Sequence, residues 1–435
     1  VDLVGLPAGP RFVLPWLVRY AYSPYRVWDA LVRRYRDPFL VRLPETPGTV
    51  ATGHKDGVKA IISADASTLV PWRLPATEAL LTEHSIFLHG GDAHRATRRL
   101  LAPLFQPSRH AEHCRTIGSV VSAELDAIAP GRIRIHELAQ RITLRVILAV
   151  LFSLRDSSRV ARFHAAAKRA LDETGPTFLF LRQLRSRFGS FSRALSALED
   201  IRALVQDEIV LRRTAPNADP HDDMLSQLLV ACRPDGVALS DREIQVHLSD
   251  MIVAGHETTT VAIAWTCYEL CRHPAVMARL AGNLGDHRYL EAVCNEALRL
   301  HPPLVFLTRE VAKPLTVRGH VVPPGLGVSV VVPLVHADPT TFDEPHAFRP
   351  ERFLDRNYGP EEFLPFGGGA KRCLGASFAM QEMMIVIAGL LRRFDMRLVR
   401  DRPVRARART ITVAPVGGVE VTLGARASSA GSSGR

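Results

Sequence analysis

The stretch FGGGAKRCLG, Phe366 to Gly375, sets four glycines, two cations and one cysteine directly before the apolar run ASFAMQEMMIVIAGLL. Glycine in a rigid segment costs roughly 0.5–1 kcal/mol relative to alanine, so such a cluster marks a tight turn or a large group lying close to the backbone. Cys373 stands at the turn that feeds the apolar helix. A helix N-terminus favours negative charge, and Lys371 and Arg372 push the same way, so this thiol is poised to be a thiolate. A buried, inert thiol describes Cys114 or Cys267 better, since each sits in ordinary sequence. The tasks open to a thiolate are nucleophile, zinc ligand or haem ligand. A nucleophile wants a positioned histidine base and zinc wants three more ligands, and the neighbouring sequence offers neither at a recognised spacing. Haem wants one protein ligand, the glycines would let a flat macrocycle press against the loop, and thiolate donation favours splitting of bound dioxygen.

Working outward, 435 residues with 47% hydrophobic content supply one large core. No repeat or mid-chain linker interrupts it, so residues 1–424 read as a single domain and ARASSAGSSGR, 425–435, as a disordered tail. Six cysteines without CxxC pairing are a reducing-compartment pattern, consistent with a cytoplasmic protein. The formal charge of +11 comes from dispersed arginines without a basic, aromatic-interleaved patch or a reading motif. Nucleic acid is therefore set aside, and an acidic protein partner accounts for the charge. FVLPWLVRYAY near the start is broken by Pro15 and Arg19, which argues against a spanning anchor or an intact signal peptide and leaves only shallow membrane contact by Phe12 to Tyr20 open.

The pattern predicts a helix in SPYRVWDALVRRYRDP, a hairpin from FLVRLP and GTVATG, and helices dominating residues 92 to 310. Strands are expected in LTVRGHVVPPGLGVSVVVPLV and in TITVAPVGGVEVTLGA, giving a mainly α chain with small β-sheets.

Three further segments carry chemistry. SDMIVAGHETTTVAIAWTCYEL is apolar enough for a buried central helix, yet holds Gly255, His256, Glu257 and three threonines. Such residues weaken a helix interior, and buried polar groups must be satisfied. Ala254, Thr258 and Ala262 recur at i, i+4 and i+8, one narrow face for a flat group, and Glu257 with Thr258 forms a candidate proton-delivery pair. Solvent-facing polarity on an amphipathic helix explains His256 and Glu257 but not the grouping of glycine with threonines. CNEALRLHPP sets Glu296 and Arg299 three apart, and FRPERF adds Arg352, a trio read as a buried structural lock. His94 and Arg98, four apart, and Arg309 need an anionic purpose, which two carboxylate tails on a haem would give them.

These segments together resemble the cytochrome P450 superfamily, the soluble bacterial type. FGGGAKRCLG resembles its haem-binding loop, with Phe366, Gly367, Lys371, Arg372 and Gly375 around the ligand Cys373; AGHETT resembles the oxygen-binding groove at Ala254, with Glu257 and Thr258 in the acid and alcohol positions; EALR and Arg352 resemble its ExxR lock. His94, Arg98 and Arg309 match positions that hold haem propionates. The resemblance implies a triangular α-rich fold with a long central helix over haem b. It also implies a monooxygenase reaction in which dioxygen and two electrons oxidise, in the first instance hydroxylate, a small molecule. Where the family usually carries Arg or His, this chain has Lys371 beside Arg372, leaving open which of them meets a propionate.

With no flavin or iron-sulfur segment in view, electrons are expected from a ferredoxin or flavodoxin with its NAD(P)H-dependent reductase, steered by Arg95, Arg99 and Arg372, and the enzyme is expected to be a monomer. Candidate pocket residues are Leu80 to Phe87, the span Thr177 to Phe191 with Phe178 and Phe180, then Ile252, Val253, Leu304, Val305 and Leu307. Their apolar content favours a terpenoid, fatty acid or polyketide. Epoxidation, desaturation and oxidative coupling stay open as reactions, and a peroxygenase, a haem-binding sensor and a thiol hydrolase stay open as rivals.

Overall fold

A computed structural model describes residues 5–43, 46–73, 78, 80–174, 189–214, 223–233, 235–409 and 411–426. In chain order, α1 (Leu14–Tyr22) and α2 (Arg26–Tyr35) precede β1 (Phe39–Val41) and β2 (Thr49–Thr52), then α3 (Lys55–Ile62) and β3 (Leu69–Pro71). The helical body follows: α4 (Gly91–Leu101), α5 (His110–Asp126), β4 (Gly131–Arg134), α6 (Ile135–Phe152), α7 (Ser157–Glu173), α8 (Ser190–Thr214), α9 (Met224–Val230), α10 (Asp241–Arg272), α11 (Pro274–Gly282) and α12 (His287–Leu300). The chain ends through β5 (Phe306–Val311), β6 (Leu315–Val317), β7 (His320–Val322), β8 (Gly327–Val331), α13 (Val332–His336), α14 (Arg352–Asp355), α15 (Ala376–Arg393), β9 (Phe394–Leu398), β10 (Ala406–Arg409), β11 (Thr412–Pro415) and β12 (Glu420–Ala425).

Helix α10 is the axis. Ser240 caps it through a reciprocal bond with Glu243, satisfying backbone donors that would otherwise be orphaned. From Ile244 onward it is buried along most of its length and packs on α6, α8, α12 and α15. Its apolar residues, with those of α6, α12 and α15, form the main core, so a mixed sequence is held helical by burial on nearly every side.

The larger sheet has the order β1-β2-β8-β5-β3, with β2 parallel to β8 and the other pairs antiparallel. Side chains alternate across it, so in β5 Phe306 and Thr308 face one side while Leu307 and Arg309 face the other. The expected β1–β2 hairpin forms with Phe39 opposite Ala51. The run VVPLV does not continue β8 to its end: after Val331 the chain turns into α13, whose Pro333 sits in the first turn where its missing N–H is harmless. Strands β3, β4, β9 and β10 are only three to five residues long; β9 (FDMRL) alternates apolar and polar as its burial does, but runs this short do not stand out from loops in the sequence.

Candidate active site

The cysteine loop folds against α3 and the sheet. Cys373 N–H donates to Phe366 O at 2.9 Å, closing the loop on itself. Gly367 and Gly369 hold φ values of 71° and 63°, the left-handed region that a side chain resists. A Cβ at Gly369 would lie 2.0 Å from Ile62 O, and one at Gly368 would lie 3.2 Å from the Ile62 side chain. These two glycines thus let the loop seat on the end of α3. The Cys373 residue is accessible, yet dense protein surrounds its thiol. Burial raises the thiol's pKa, and the Gly375 N–H, Arg372 and Arg98 only partly oppose it. The expected stabilisation of the thiolate is present in kind but outweighed by burial, and Lys371 takes no part in it.

Around this thiol gather three cations, Arg98, Arg309 and Lys371, and the buried imidazole of His94. Arg98 donates to Arg372 O at 2.6 Å, Arg309 to Thr308 O at 2.7 Å and Lys371 to His89 O at 2.5 Å, and all three of these acceptors are carbonyls. His94 is buried in α4, its pKa pushed down to about 4 by burial and by Lys371, Arg98 and Arg309. Burial, Arg309 and Arg98 likewise push Lys371 down to about 7. No carboxylate among the described residues is ion-paired with any of the four, although buried charge is expensive unless it is compensated. Such a cluster fits a ligand bearing two carboxylates, as haem b does. His94, Arg309 and Lys371 also line a cleft with Leu307 and Gly368. Arg372 is exposed, so Lys371 is the cation that the loop contributes to the cluster.

On α10 the two adjacent candidates diverge. Thr258 donates its hydroxyl to Ala254 O at 2.7 Å and stays partly accessible, as do Asp250 and Ala254 on the same stripe; Val253 beside them is 43% exposed. An accessible stripe on an otherwise buried helix marks an internal opening. Glu257, one residue round the helix, is buried and turns toward α6 and β10. Its Oε2 accepts from Gln140 Nε2 at 3.2 Å, while Oε1 faces His136 Nε2 at 3.6 Å and Arg409 Nη1 at 3.7 Å without a hydrogen bond. Burial raises this carboxyl, but His136, Arg409 and His256 prevail and hold it below the usual range. His256 is also buried and joins Thr143 at 2.8 Å, so the solvent-facing reading of the pair does not hold.

The lock is complete. Arg299 clasps Glu296 through two bonds of 2.7 and 2.8 Å, Arg352 Nε adds a third at 3.1 Å, and Arg299 also ties the carbonyls of His336, Pro345 and Ala347. The Glu296 and Arg299 side chains have no exposure, so the trio pins the segment leading to the cysteine loop.

The pocket candidates scatter. Phe178 and Phe180 lie outside the described residues. Ile252 and Val305 are core residues, Leu80 packs with Trp72 and Phe191, Phe87 is 47% exposed, Leu304 is half-buried, and Leu307 borders the cation cleft. Sequence reading missed Asp250, which accepts from Ser85 Oγ at 2.7 Å and from the Ile86 N–H, tying α10 to the segment over the opening. It also missed His136, Gln140 and Arg409, which reach Glu257 from more than a hundred residues away and leave no local signal.

The family model described as Cytochrome P450 matches residues 6–419. Cytochrome P450 137 of Mycobacterium tuberculosis is 31% identical over 433 residues, covering 96% of this chain and 90% of its own length. Cytochrome P450 135B1 of the same species is 29% identical, covering 97% and 92%. Among solved structures, the retinoic acid bound cyanobacterial CYP120A1 superposes with a TM-score of 0.85 at 24% identity, covering 97% of this chain and all of that one, a likeness of fold. A match of this length leaves no room for a borrowed loop on another scaffold, and the chain belongs to the cytochrome P450 family of cysteine-ligated haem b monooxygenases.

Proposed function

We propose that this P450 hydroxylates a largely apolar small molecule, with Cys373 as haem ligand and electrons from a separate ferredoxin or flavodoxin and its NAD(P)H-dependent reductase. The observation that carries the site assignment is the cluster of Arg98, Arg309 and Lys371 with the buried His94 beside Cys373, whose three cations bond to carbonyls and have no carboxylate ion pair among the described residues. When bound there, haem b supplies dioxygen binding and two-electron activation. Arg98, Arg309 and Lys371 hold its propionates, and His94 completes their cradle.

The chain's own contribution is positioning and proton management. Thr258, its hydroxyl anchored on Ala254 O, offers an oxygen to the opening and orders water there. Glu257 rests as a carboxylate whose Oε1 faces His136 and Arg409; it takes up a proton at Oε1 in transit and passes it on by rotating away from them toward Thr258. Arg409 leads outward, since it is partly exposed and donates to Asp172 at 2.8 Å. The aliphatic residues Val253, Ala254 and Leu307 exclude water and favour an apolar substrate.

The test is turnover of the haem-loaded chain with a surrogate ferredoxin, its reductase and NADPH, after a panel of apolar compounds has been screened by spin-state shift. A product one oxygen atom heavier than its substrate, formed only with dioxygen and reductase, is the expected result. Turnover supported by peroxide but not by reductase overturns the electron-transfer reading, and an epoxide, alkene or coupled product replaces hydroxylation.

A further inference from the structure

The first helix carries more apolar surface than the fold uses. Trp16, Leu17 and Tyr20 of α1 turn inward and, with Trp28, Trp72 and Phe306, line an apolar, partly open pocket on the side of the sheet opposite Leu307 and Arg309. That inward face holds α1 to the body. The outward face is apolar too: Leu14, Val18 and Tyr22 recur at i, i+4 and i+8 on one stripe and are 60%, 53% and 70% exposed. Phe12, just ahead of the helix, is 74% exposed. No other run of exposed large hydrophobics of this density occurs among the described residues.

Charge selects the occupant. From residue 11 to residue 36 the chain has six arginines and one acid, Asp29. Arg11, Arg19, Arg26, Arg33, Arg34 and Arg36 are all exposed, and none takes part in an ion pair among the described residues. An apolar stripe with Arg19 on its own helix, Arg11 just ahead of it and four more exposed guanidinium groups on the next helix and its C-cap matches an anionic lipid surface, where the stripe enters the acyl boundary and the cations meet phosphates. An acidic redox protein would answer the charge but leave four large apolar side chains to find matching pockets. A second copy of this chain would bring six more cations against the first six.

We infer that the segment from Arg11 to Arg36 seats this protein on the surface of an anionic lipid layer, with Phe12, Leu14, Val18 and Tyr22 inserted. The contact is peripheral, since no helix among the described residues is long and apolar enough to cross a membrane.

Flotation of the haem-loaded full chain with vesicles tests this. Vesicles of equal parts phosphatidylcholine and phosphatidylglycerol are expected to carry about 10-fold more protein than phosphatidylcholine alone at low salt, the excess falling as salt screens the lipid charge. The triple variant Leu14→Ser, Val18→Ser, Tyr22→Ser and the double variant Arg19→Glu, Arg26→Glu are each expected to lose about 10-fold of that binding. All five side chains are exposed, so both variants should keep the parental haem absorbance and melting temperature. Equal recovery of parent and variants with the mixed vesicles overturns the inference. So does a concentration-dependent dimer, without vesicle binding, that the triple variant abolishes; that result names a second copy as the occupant.

Discussion

Glu257 and Thr258 are adjacent in sequence yet serve different surroundings. About 100° of rotation per residue puts the threonine on the accessible stripe and the glutamate against α6 and β10. Oε1 of Glu257 has ion-pair neighbours, His136 and Arg409, but no hydrogen bond, so it is held less tightly than a fully bonded structural carboxylate such as Glu296. Glu257→Gln keeps the size and the Gln140 contact but removes the proton carrier. Turnover is expected to fall by at least roughly 100-fold, with a larger solvent isotope effect and an unchanged haem spectrum. Turnover within a factor of two of the parent would assign Glu257 to packing alone. The residue type of this pair was legible in the sequence as a polar break in an apolar helix; its partners His136 and Arg409 were not, because they come from distant elements.

At the scale of elements, Asp250 joins α10 to the segment carrying Ser85 and Ile86. Burial raises its carboxyl from 3.8 to about 7, a shift that the Ser85 hydroxyl, the Ile86 N–H and Arg202 only partly oppose. The folded state therefore binds this proton more tightly than the unfolded one. The stability it contributes is complete below about pH 4 and lost as pH rises through about 7. Asp250→Asn retains an acceptor for Ser85 and removes the titration. Its melting temperature, compared with the parent's, is expected to gain steadily between those two pH values. A difference that stays constant with pH would mean that Asp250 is ionised throughout. The element itself was legible as a helix from its length and cap, whereas the contact with Ser85, 165 residues away, depends on how the chain returns over α10.

Across the whole molecule the charge is uneven in use. Arg95 and Arg99 of α4 are exposed; Arg95 is engaged by Asp92, while Arg99 has no ion pair among the described residues. Because Arg98 of α4 bonds to the cysteine loop at Arg372 O, Arg95 and Arg99 lie on the helix next to that loop, and we take this side as the ferredoxin docking face. Replacing Arg95 and Arg99 with Glu is expected to slow reduction by a ferredoxin at least about 10-fold at low ionic strength and to flatten its salt dependence. Unchanged reduction rates would move the docking face elsewhere. The N-terminal arginines lie in a separate segment, so reduction and vesicle binding test different faces.

The sequence by itself determined the family, because FGGGAKRCLG, AGHETT and the Glu296–Arg299–Arg352 set are local patterns whose chemistry is written in adjacent residues. It also determined the α-rich class, since long apolar periodicity over residues 92 to 310 has few other solutions. Only the tertiary structure decided that the cysteine-loop glycines seat the loop on Ile62, that Lys371 rather than Arg372 joins His94, Arg98 and Arg309, and that both faces of α1 are apolar with only one of them covered. The physical reason is common to all three. Burial and Coulomb energy depend on neighbours brought together across hundreds of residues, and no local pattern records which neighbours those are.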